Sequence, residues 1–376
     1  MGENDIRYQQ VEVNSGVIVG KENADSVMSF LIGLISSYRH AYAFIDKNLM
    51  LKSRAAFNLG QELQQINVPM RVIDASESLK TMDTVMDICA WLMDKGADRD
   101  AVLVAVGGGI TTDMVGFAAS IYKRGVRYVS VPTTLLSQVD AGLGGKTGVN
   151  FLQYKNMLGA VHQPAFTFIW PEFLKTLPKR DFLSGAAELL KTFIIEDESG
   201  QWYRRSVAIL QRYAEVDGNW EQLDLNEITA IIEAAARVKA GVVSCDPFEK
   251  GERRKLNLGH TFAHAIENLA QKNGMDITHG EAVAMGIVLA ARLADRLASA
   301  ENSGFVFRHG LSAQIETDIM ACGMTVECPF NINDMADAMK KDKKAEGGKV
   351  HFVLPREVGV VEIVDLSVED VCRLLA

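Results

Sequence analysis

The strongest constraint on this chain is a regular alternation of short apolar runs with helical patterns between about residue 10 and residue 170. The strand-like runs are VEVNSGVIVG, AYAFID, MRVID, AVLVAVGGG and RYVSVPTT. Amphipathic stretches such as SRAAFNLGQELQQI and TVMDICAWLMDKG separate them. Continuously apolar strands joined by such helices predict a mostly parallel sheet with both faces covered. The sequence therefore predicts an α/β fold for this part of the chain.

The pattern changes after the Pro-bounded stretch near residues 171–180. Long helical patterns follow, namely SGAAELLKTFIIED, DLNEITAIIEAAARVKAGVVS, GHTFAHAIENLAQ and HGEAVAMGIVLAARLADRLA. A late VHFVLP reads as a short strand or an extended segment. Because 376 residues are too many for one ordinary core, we expect two domains, an α/β domain over 1–175 and a mainly helical one over 176–376.

Charge and hydropathy exclude several classes of protein. A net charge of −9 disfavours nucleic acid and anionic membranes as main partners, because both favour a basic surface. No stretch approaches the roughly 18 uninterrupted apolar residues of a membrane span, and the first residues carry no signal-type apolar run. We expect a cytoplasmic protein. The five cysteines are scattered and predict no disulfide framework or zinc site.

Three glycines, Gly107–Gly109, end one predicted strand and precede the helical pattern TTDMVGFAASIY. Such a turn lets the backbone approach a pyrophosphate and presents free N–H groups at the helix start. The triplet lacks the G-x-G-x-x-G spacing, so a plain tight turn is an equal alternative. Polar residues also follow three other strands where parallel sheets bind ligands. They are Asp46, Glu77, Lys80, Thr133 and Thr134.

Histidines and a glutamate in the helical half have the composition of a catalytic metal site. His260 and His264 lie one helical turn apart, Glu267 follows on the same face, and His279 opens the next helix, while Glu188 lies inside an earlier one. Two imidazoles and one carboxylate with open positions suit a divalent cation such as zinc. Buried histidines satisfied by hydrogen bonds are the alternative. The spacing leaves His264 either a ligand or a proton donor.

Basic residues cluster near these motifs although the protein is acidic. The stretch from Asp140 to Asn156, with Lys146 after paired glycines, has the composition of a phosphate-binding loop. Further cations near the candidate metal ligands and in a late charged run are Lys191, Lys239, Arg253, Lys343 and Lys344. Together they indicate a small polyanionic substrate. For the late KKDKK run alone, a solvated loop is the simpler explanation.

Taken together, the motifs resemble the 3-dehydroquinate synthase family over about residues 46–354. The matching segments are GGITTD, YKRG, VPTTLLSQVDAGLGGKTGVN, KN, GAAELLK, RRKLNLGHTFAH and HGEAVAMG, together with Lys239. Their order and joint presence make the resemblance specific. It implies a Rossmann-like NAD-binding domain followed by a helical domain that binds metal and substrate.

The resemblance also implies roles for individual residues. Glu188, His260 and His279 would ligate zinc or cobalt. The NAD site would comprise Asp46, Glu77, Lys80, Gly108, Gly109, Asp113, Thr133, Thr134, Lys146 and Lys155. The substrate would contact Asp140, Lys146, Asn156, Lys191, Lys239, Arg253, Asn257, His264 and Lys343 or Lys344, with Arg124 reaching a neighbouring subunit of a homodimer. Of these, Lys146, Lys191, Asn257 and His264 are the catalytic candidates.

The reaction implied by this resemblance is that of a lyase in the shikimate pathway of aromatic amino-acid biosynthesis. A seven-carbon keto-acid phosphate is transiently oxidised by NAD, loses phosphate, is reduced again and closes into a ring, without net redox change. The substrate's own phosphate would serve as the base.

Three rival functions stay open on the sequence. Ala141-Gly142 departs from the small pairs usual in the family, which admits a sister cyclase acting on sedoheptulose 7-phosphate. Lys239 and Arg253 favour a carboxylate-bearing substrate instead. A metal-dependent polyol dehydrogenase shares the glycine turn and would accumulate NADH, and a binding protein without turnover is the third rival.

Overall fold

The computed structural model describes residues 8–11, 15–21, 23–152, 154–299, 307–340, 345–346 and 349–376. The chain divides into two compact units. The first unit comprises residues 1–178 and 225–248, and the second comprises residues 179–224 and 249–376. Lys343 and Lys344, two of the residues expected to contact the substrate, lie outside the described residues.

A seven-stranded sheet forms the centre of the first unit, with a separate two-stranded hairpin beside it. The strands of this unit are β1 (Tyr8–Val11), β2 (Ser15–Val19), β3 (Ala41–Asp46), β4 (Met70–Ile73), β5 (Val102–Gly107), β6 (Arg127–Pro132), β7 (Lys146–Phe151), β8 (Tyr154–Val161) and β9 (Phe166–Ile169). The large sheet has the order β1-β2-β9-β6-β5-β3-β4. All its pairs are parallel except β1 with β2, so the predicted parallel sheet is confirmed.

Helices follow the predicted patterns closely. They are α1 (Ala24–Ser36), α2 (Lys47–Lys52), α3 (Arg54–Gln65), α4 (Met82–Asp94), α5 (Gly109–Ile121), α6 (Lys179–Ile195), α7 (Gln201–Glu215), α8 (Leu225–Cys245), α9 (His260–Lys272), α10 (His279–Ser299), α11 (Leu311–Ala321), α12 (Ile332–Lys340) and α13 (Val368–Leu375). Side-chain caps begin several of them. Thr81 Oγ1, for example, accepts a hydrogen bond from Thr84 N at the start of α4.

Two apolar cores cover the two faces of the large sheet, and strand β5 contributes to both. Leu103 and Ala105 belong to the core that includes residues of α4 and α5. Val102, Val104 and Val106 belong to the core that includes residues of α1 and α3. Because successive side chains of a strand point to opposite faces, an unbroken apolar run is what a strand covered on both faces requires.

The strand order fixes where a ligand can bind in the first unit. The chain runs from β3 to the edge strand β4 and then returns to β5 on the other side of β3. Such a reversal opens a crevice at the carboxyl ends of the two central strands, which is where open α/β sheets bind ligands. Asp46 ends β3 and the glycine turn follows β5, so both lie at this edge.

The second unit is mainly helical, as predicted. It contains α6, α7 and α9 to α13, together with the antiparallel strands β10 (Ala345–Glu346), β11 (Lys349–Glu357) and β12 (Val360–Leu366). The late VHFVLP run is therefore a strand, lying inside β11. Among the helices that the structure describes, none is long and apolar enough to cross a membrane.

Two features of the fold differ from the sequence expectation. Helix α8, expected with the helical half, groups with the first unit, because its helical period does not specify which core it joins. The stretch from Asp140 to Asn156 is not one phosphate-binding loop. From Lys146 onward it forms the antiparallel hairpin β7–β8, which packs against α5 where Gly116 leaves room for Thr147.

Candidate active site

Glu188, His260 and His279 come together in the second unit as a set of three potential metal ligands. Glu188 Oε1 lies 3.5 Å from His260 Nε2 and 3.3 Å from His279 Nε2. Ligands at zinc distances of about 2.0–2.1 Å in a tetrahedral site are about 3.3–3.4 Å apart. Both distances from Glu188 match this spacing, and the ligand atoms of all three residues lie within 4.8 Å of one another, so the predicted grouping is confirmed.

The carboxylate of Glu188 is fully buried. Neither of its oxygens accepts a hydrogen bond of acceptable geometry from the described residues, although Lys191 Nζ lies 2.5 Å from Oε2. A buried anion without aligned donors is costly unless a cation compensates it. The site therefore fits a divalent cation, with Lys191 supplying further positive charge at its edge.

Tight contact between α6 and α10 sets the distance from Glu188 to His279. Gly280 N donates a 3.0 Å hydrogen bond to Ser184 Oγ, one turn before Glu188 on α6. A Cβ on Gly280 would overlap the backbone of Ser184. Glycine at this position thus lets the two helices approach until their ligand side chains meet.

A second close contact, between the start of α9 and helix α10, fixes the position of His260. Gly259 precedes α9 with φ of 76°, a left-handed conformation that favours glycine. A Cβ there would lie 2.7 Å from Ile287 N, and a Cβ on Gly286 would overlap the Gly259 carbonyl. The start of α9 therefore rests directly on α10, and His260 is its first residue.

The outer nitrogens of both histidines have acceptors that leave Nε2 for a metal. His260 Nδ1 lies 3.2 Å from Leu258 O, and His279 Nδ1 lies 3.5 Å from Glu267 Oε2. Metal-bound histidines usually donate the other ring N–H to such a group. Glu267 thus lies behind a ligand. His264 is exposed and outside the ligand set, although its ring centroid is 5.5 Å from that of His260.

Local charges set the protonation states of the three donors. Burial by itself raises the pKa of Glu188, but Lys191 and His279 outweigh it and lower that pKa to about 2. Burial lowers the pKa of His260 well below its usual value, and the charges of Lys191 and His279 lower it further. Glu188 is consequently an anion and His260 a neutral ring, the protonation states in which both bind metals. Burial opposes a charge on His279, but its hydrogen bonds to Glu188 and Glu267 raise its pKa to about 10, so this ring must release a proton to bind a metal.

Other polar residues of the second unit were also assigned to the substrate. Lys191 and Arg253 are almost fully buried, at 1% and 2% exposure. Asn257 Nδ2 donates to Glu249 Oε1 at 2.7 Å and to Arg254 O at 3.1 Å. Burying two cations requires anionic or polar partners. Their individual roles toward a substrate stay predictions.

The glycine turn of the first unit is required by packing. Gly108 is the N-cap of α5. A Cβ on Gly107 would lie 2.5 Å from Thr111 Cβ, and one on Gly108 would lie 2.9 Å from Thr134 Cγ2. Larger residues would therefore disturb the junction of β5 and α5. The same lack of side chains leaves the helix N-terminus open to an anion.

Three of the residues assigned to NAD, Asp46, Thr133 and Thr134, lie at the carboxyl ends of neighbouring strands. Asp46 Oδ1 accepts a 2.9 Å hydrogen bond from Leu49 N and so caps α2. Thr133 N donates to Gly107 O at 2.9 Å, which joins the ends of β5 and β6. Thr134 exchanges hydrogen bonds with Ser137. The predicted edge location is confirmed, whereas contact with NAD stays a prediction.

Lys80, Asp113 and Asn156 form one hydrogen-bonded group in the first unit, in which Lys80 is buried and Asn156 is exposed. Lys80 is 5% exposed, and its Nζ lies 2.6 Å from Asp113 Oδ2 and 2.5 Å from Asn156 Oδ1. Burial raises the pKa of Asp113 to about 6, against the opposing charge of Lys80. The sequence had assigned Asn156 to the substrate and the other two to NAD, so the structure joins two sets that were treated separately.

Four more predicted residues lie elsewhere in the first unit, namely Asp140, Lys146, Lys155 and Lys239. Lys239 forms an ion pair with Asp140, which places α8 against the turn that precedes the hairpin. Lys146 and Lys155 are exposed on the hairpin. These positions agree with the basic cluster expected from the sequence, without testing what it binds.

Arg124 lies at an unusual turn after α5. Both Lys123 and Arg124 have positive φ, at 48° and 71°. Two consecutive non-glycine residues in this region are strained, and such strain concentrates at functional sites. With Asp98, Arg99 and Asp100 they line an open cavity of about 520 Å³.

The family departure at Ala141-Gly142 has a packing explanation. A Cβ on Gly142 would lie 2.5 Å from Ser137 O and 3.1 Å from Pro132 Cβ, so the position faces the protein interior. Ala141 is closer to the glycine turn, since its Cβ lies 3.2 Å from where a Cβ on Gly109 would be. The glycine at 142 is therefore weak evidence for an altered substrate.

Sequence reasoning missed Asn150 and gave no role to Ser184. Asn150 ends the GGKTGVN run and has hydrogen bonds to Glu77 and to the backbone of Lys80, which are 70 or more positions away in the chain. Ser184 precedes Glu188 by one helical turn, which was a usable signal. The long-range partners of Asn150 had no local signature.

Family models of two kinds match the chain. The N-terminal model of 3-dehydroquinate synthase matches residues 70–184, and the C-terminal model of the same family matches residues 185–345. Curated relatives agree. A 3-dehydroquinate synthase of Prochlorococcus marinus is 39% identical over 81% of this chain and 80% of its own length. One from Alkaliphilus metalliredigens is 37% identical over 91% of this chain and 93% of its own length.

Solved structures share the fold over almost the whole chain. A 2-epi-5-epi-valiolone synthase from Streptomyces hygroscopicus, with NAD+ and Zn2+ bound, is 28% identical with a TM-score of 0.80, covering 98% of this chain and 97% of its own. A 2-deoxy-scyllo-inosose synthase has a TM-score of 0.77 at 24% identity, covering 96% of both chains. The second supports the fold alone.

Proposed function

The chain belongs to the 3-dehydroquinate synthase family, and from this premise we propose that it converts 3-deoxy-D-arabino-heptulosonate 7-phosphate into 3-dehydroquinate and phosphate. The observation that carries the proposal is the buried set of Glu188, His260 and His279 with Lys191 against it. A metal site with a buried cation at its edge suits an anionic, hydroxyl-bearing substrate.

Glu188, His260 and His279 would hold the divalent cation. When bound, that cation supplies Lewis-acid chemistry to a substrate hydroxyl or carbonyl. The related valiolone synthase contains Zn2+, which supports zinc, with cobalt as the alternative from the sequence. In this chain Glu267 and the Leu258 carbonyl orient the two imidazoles, and Lys191 offers an ammonium beside the carboxylate.

NAD is the second proposed cofactor, and NAD+ is bound in the related valiolone synthase. When bound, it accepts one hydride from the substrate and returns it, so no NADH accumulates. The start of α5 at Gly108 and Gly109 would receive the pyrophosphate through its free N–H groups. Asp46, at the end of the neighbouring strand β3, would accept hydrogen bonds from a ribose.

The charges of each unit support a substrate with both phosphate and carboxylate. In the second unit, Arg253 and Lys191 are buried cations, and Lys191 lies beside the Glu188 carboxylate. In the first unit, Lys239 is likewise 7% exposed and pairs with Asp140. We assign these cations, with Lys146, Asn156, Asn257 and His264, to recognition of the keto-acid phosphate.

Neither rival enzyme is favoured. Curated relatives of 34–40% identity are 3-dehydroquinate synthases, whereas the valiolone synthase is 28% identical. The similar dehydrogenase structures, including a probable glycerol dehydrogenase at 18% identity, show the fold alone. The departure at Gly142, which had admitted a sister cyclase, faces protein atoms.

We further propose a homodimer in which Arg124 reaches the partner's phosphate site. The strained backbone at Lys123 and Arg124 supports a specific use for this turn. A cytoplasmic location also stays a prediction from the sequence.

The test is an assay of purified protein with NAD and a divalent metal on 3-deoxy-D-arabino-heptulosonate 7-phosphate. We expect release of inorganic phosphate with no net absorbance from NADH. No phosphate release would refute the proposal. Release from sedoheptulose 7-phosphate instead would select the sister cyclase, and steady NADH formation from glycerol would select a dehydrogenase.

A further inference from the structure

Asn150, near the end of strand β7, joins the β7–β8 hairpin to the segment at residues 77–80 of the first unit. Its Nδ2 donates a 2.8 Å hydrogen bond to Glu77 Oε1, and its Oδ1 accepts a 2.9 Å hydrogen bond from Asn156 N. Its own backbone N donates to Lys80 O at 2.9 Å. The β7–β8 register shifts between Val149 and Phe151, so Asn150 lies at an irregularity of the hairpin. Such irregularities redirect side chains next to functional sites.

The bonds of Asn150 close a network with the Lys80 group. Lys80 Nζ contacts both Asp113 Oδ2 and Asn156 Oδ1. Asn156 has φ of 51°, a left-handed conformation that needs support from its surroundings. Asn150 supplies that support by accepting its N–H. Glu77, Lys80 and Asn156 are thus held in one arrangement by a residue without an assigned role.

We propose that Asn150 is a positioning residue for NAD, which fixes the Glu77 carboxylate at the cofactor edge and fixes Asn156 so that it orients Lys80. This inference rests on the proposed function, because it assumes that Glu77 and Lys80 contact the dinucleotide. Asn150 itself is not assigned a contact with the cofactor.

Two hydrogen bonds of the Asn150 side chain, to Glu77 Oε1 and from Asn156 N, require an amide, and Nδ2 also lies 3.5 Å from the Glu77 carbonyl oxygen. The Asn156 N–H needs an acceptor, and the Glu77 carboxylate needs a donor. Asparagine provides both groups, whereas aspartate provides only acceptors. The isosteric change Asn150→Asp therefore keeps the bond to Asn156 and places a second carboxylate against Glu77.

Because only the amide can donate, the proposal can be tested by exchanging the amide and the carboxylate between positions 150 and 77. In the double variant N150D/E77Q the amide has moved to position 77, so the new side-chain amide there donates to the carboxylate at position 150 and restores the bond with donor and acceptor exchanged. The single variant E77Q retains an acceptor for Asn150. It serves as the reference for the double variant, because both lack the negative charge of Glu77. Asn58→Asp, at an exposed position of α3, adds the same negative charge elsewhere.

NAD dissociation constants would be measured by calorimetry for the intact protein and all four variants, with thermal melting of each protein without NAD. We expect N150D to weaken NAD binding by about 5- to 10-fold, in line with the net contribution of one solvent-exposed hydrogen bond. N58D should bind as wild type. N150D/E77Q should bind more tightly than N150D and approach E77Q, while the melting temperatures stay alike.

Wild-type affinity in N150D would overturn the inference and leave the proposed function intact. So would a double variant that binds more weakly than either single variant, because the exchange would then restore nothing. Weaker binding that follows a lower melting temperature would assign Asn150 to stability and likewise overturn it. Absence of NAD binding by the wild-type protein would overturn the proposed function itself, and this inference with it.

Discussion

The metal-ligand set of the second unit and the nucleotide edge of the first unit are built in different ways. Glu188, His260 and His279 are brought together by helices whose backbones touch at glycines, as at Gly280. The nucleotide edge consists of residues after strand ends, held mainly by hydrogen bonds between side chains, such as Lys80 with Asn156. Backbone packing tolerates little change, whereas side-chain networks weaken in steps.

This difference predicts that losses will be nearly complete at the metal set and graded at the nucleotide edge. We expect the largest effect from the loss of a metal ligand.

Replacing His260 by Ala should reduce phosphate release by about 10³-fold or more, because a lost ligand removes several kcal/mol of transition-state stabilisation. Metal content should fall, while the NAD dissociation constant stays near wild type because His260 belongs to the other unit. His264→Ala is the matched control for metal content, since His264 lies outside the ligand set. Retained activity in H260A would refute the metal assignment.

Replacing Gly280 by Ala tests whether helix contact fixes the ligand spacing. The added Cβ would overlap the Ser184 backbone, so α6 and α10 must move apart. We expect a loss of about 1–3 kcal/mol in unfolding free energy, as for other overpacked contacts. Metal affinity should also fall. Gly274→Ala is a contrast without a Cβ clash, although its φ of 65° also disfavours alanine. A tight metal site in G280A would show that the contact is dispensable.

Ionisation of Asp113, at the nucleotide edge, should make the unfolding free energy of the protein depend on pH. Its pKa is raised from 3.8 to about 6 in the folded protein. A raised carboxyl pKa stabilises the fold below the unfolded value, and that stability is lost as pH rises through the folded value. Relative to Asp113→Asn, the wild-type unfolding free energy should therefore fall by up to about 3 kcal/mol between pH 4 and pH 7.

Urea denaturation of both proteins across this pH range measures the difference. The difference should change mainly between pH 4 and pH 6, the window set by the two pKa values of 3.8 and about 6. A constant difference between the two proteins would show that burial does not perturb Asp113.

The smallest expected effect on catalysis is that of Gly142→Ser, which restores a residue more usual in the family at this position. Its Cβ faces Ser137 O and Pro132, so we expect some loss of stability and an unchanged preference for the keto-acid phosphate over sedoheptulose 7-phosphate. The ratio of kcat/KM for the two substrates measures this. A shift in that ratio would mean that residue 142 acts on the substrate.

Much of the fold followed from the sequence because strand and helix periods are local properties. The apolar run AVLVAVG became β5, and the helical patterns at 184–197 and 259–271 became parts of α6 and α9. The hairpin β7–β8 was missed, since its glycines and lysine resemble a phosphate loop in sequence. Helix α8 was expected in the helical half but groups with the first unit, because a helical period does not specify which core the helix packs against.

The candidate site was likewise predicted only in part from the sequence. Residue type and spacing, helped by the family resemblance, identified Glu188, His260 and His279 before any distance was known. The position of Glu267 behind His279 needed the fold, because 12 positions and a helix end separate the two. The bond from Lys80 to Asn156 joins residues 76 positions apart, and no local pattern encodes it.

The sequence by itself determined the element types through residue types at short spacing, and it indicated the family and the metal ligands through the order of its motifs. Only the tertiary structure decided which side chains act together, including the bridge made by Asn150 and the glycine contacts that space the ligands. The physical reason is that hydrogen bonds and close packing depend on positions within a few ångströms in space, which separations along the chain do not specify.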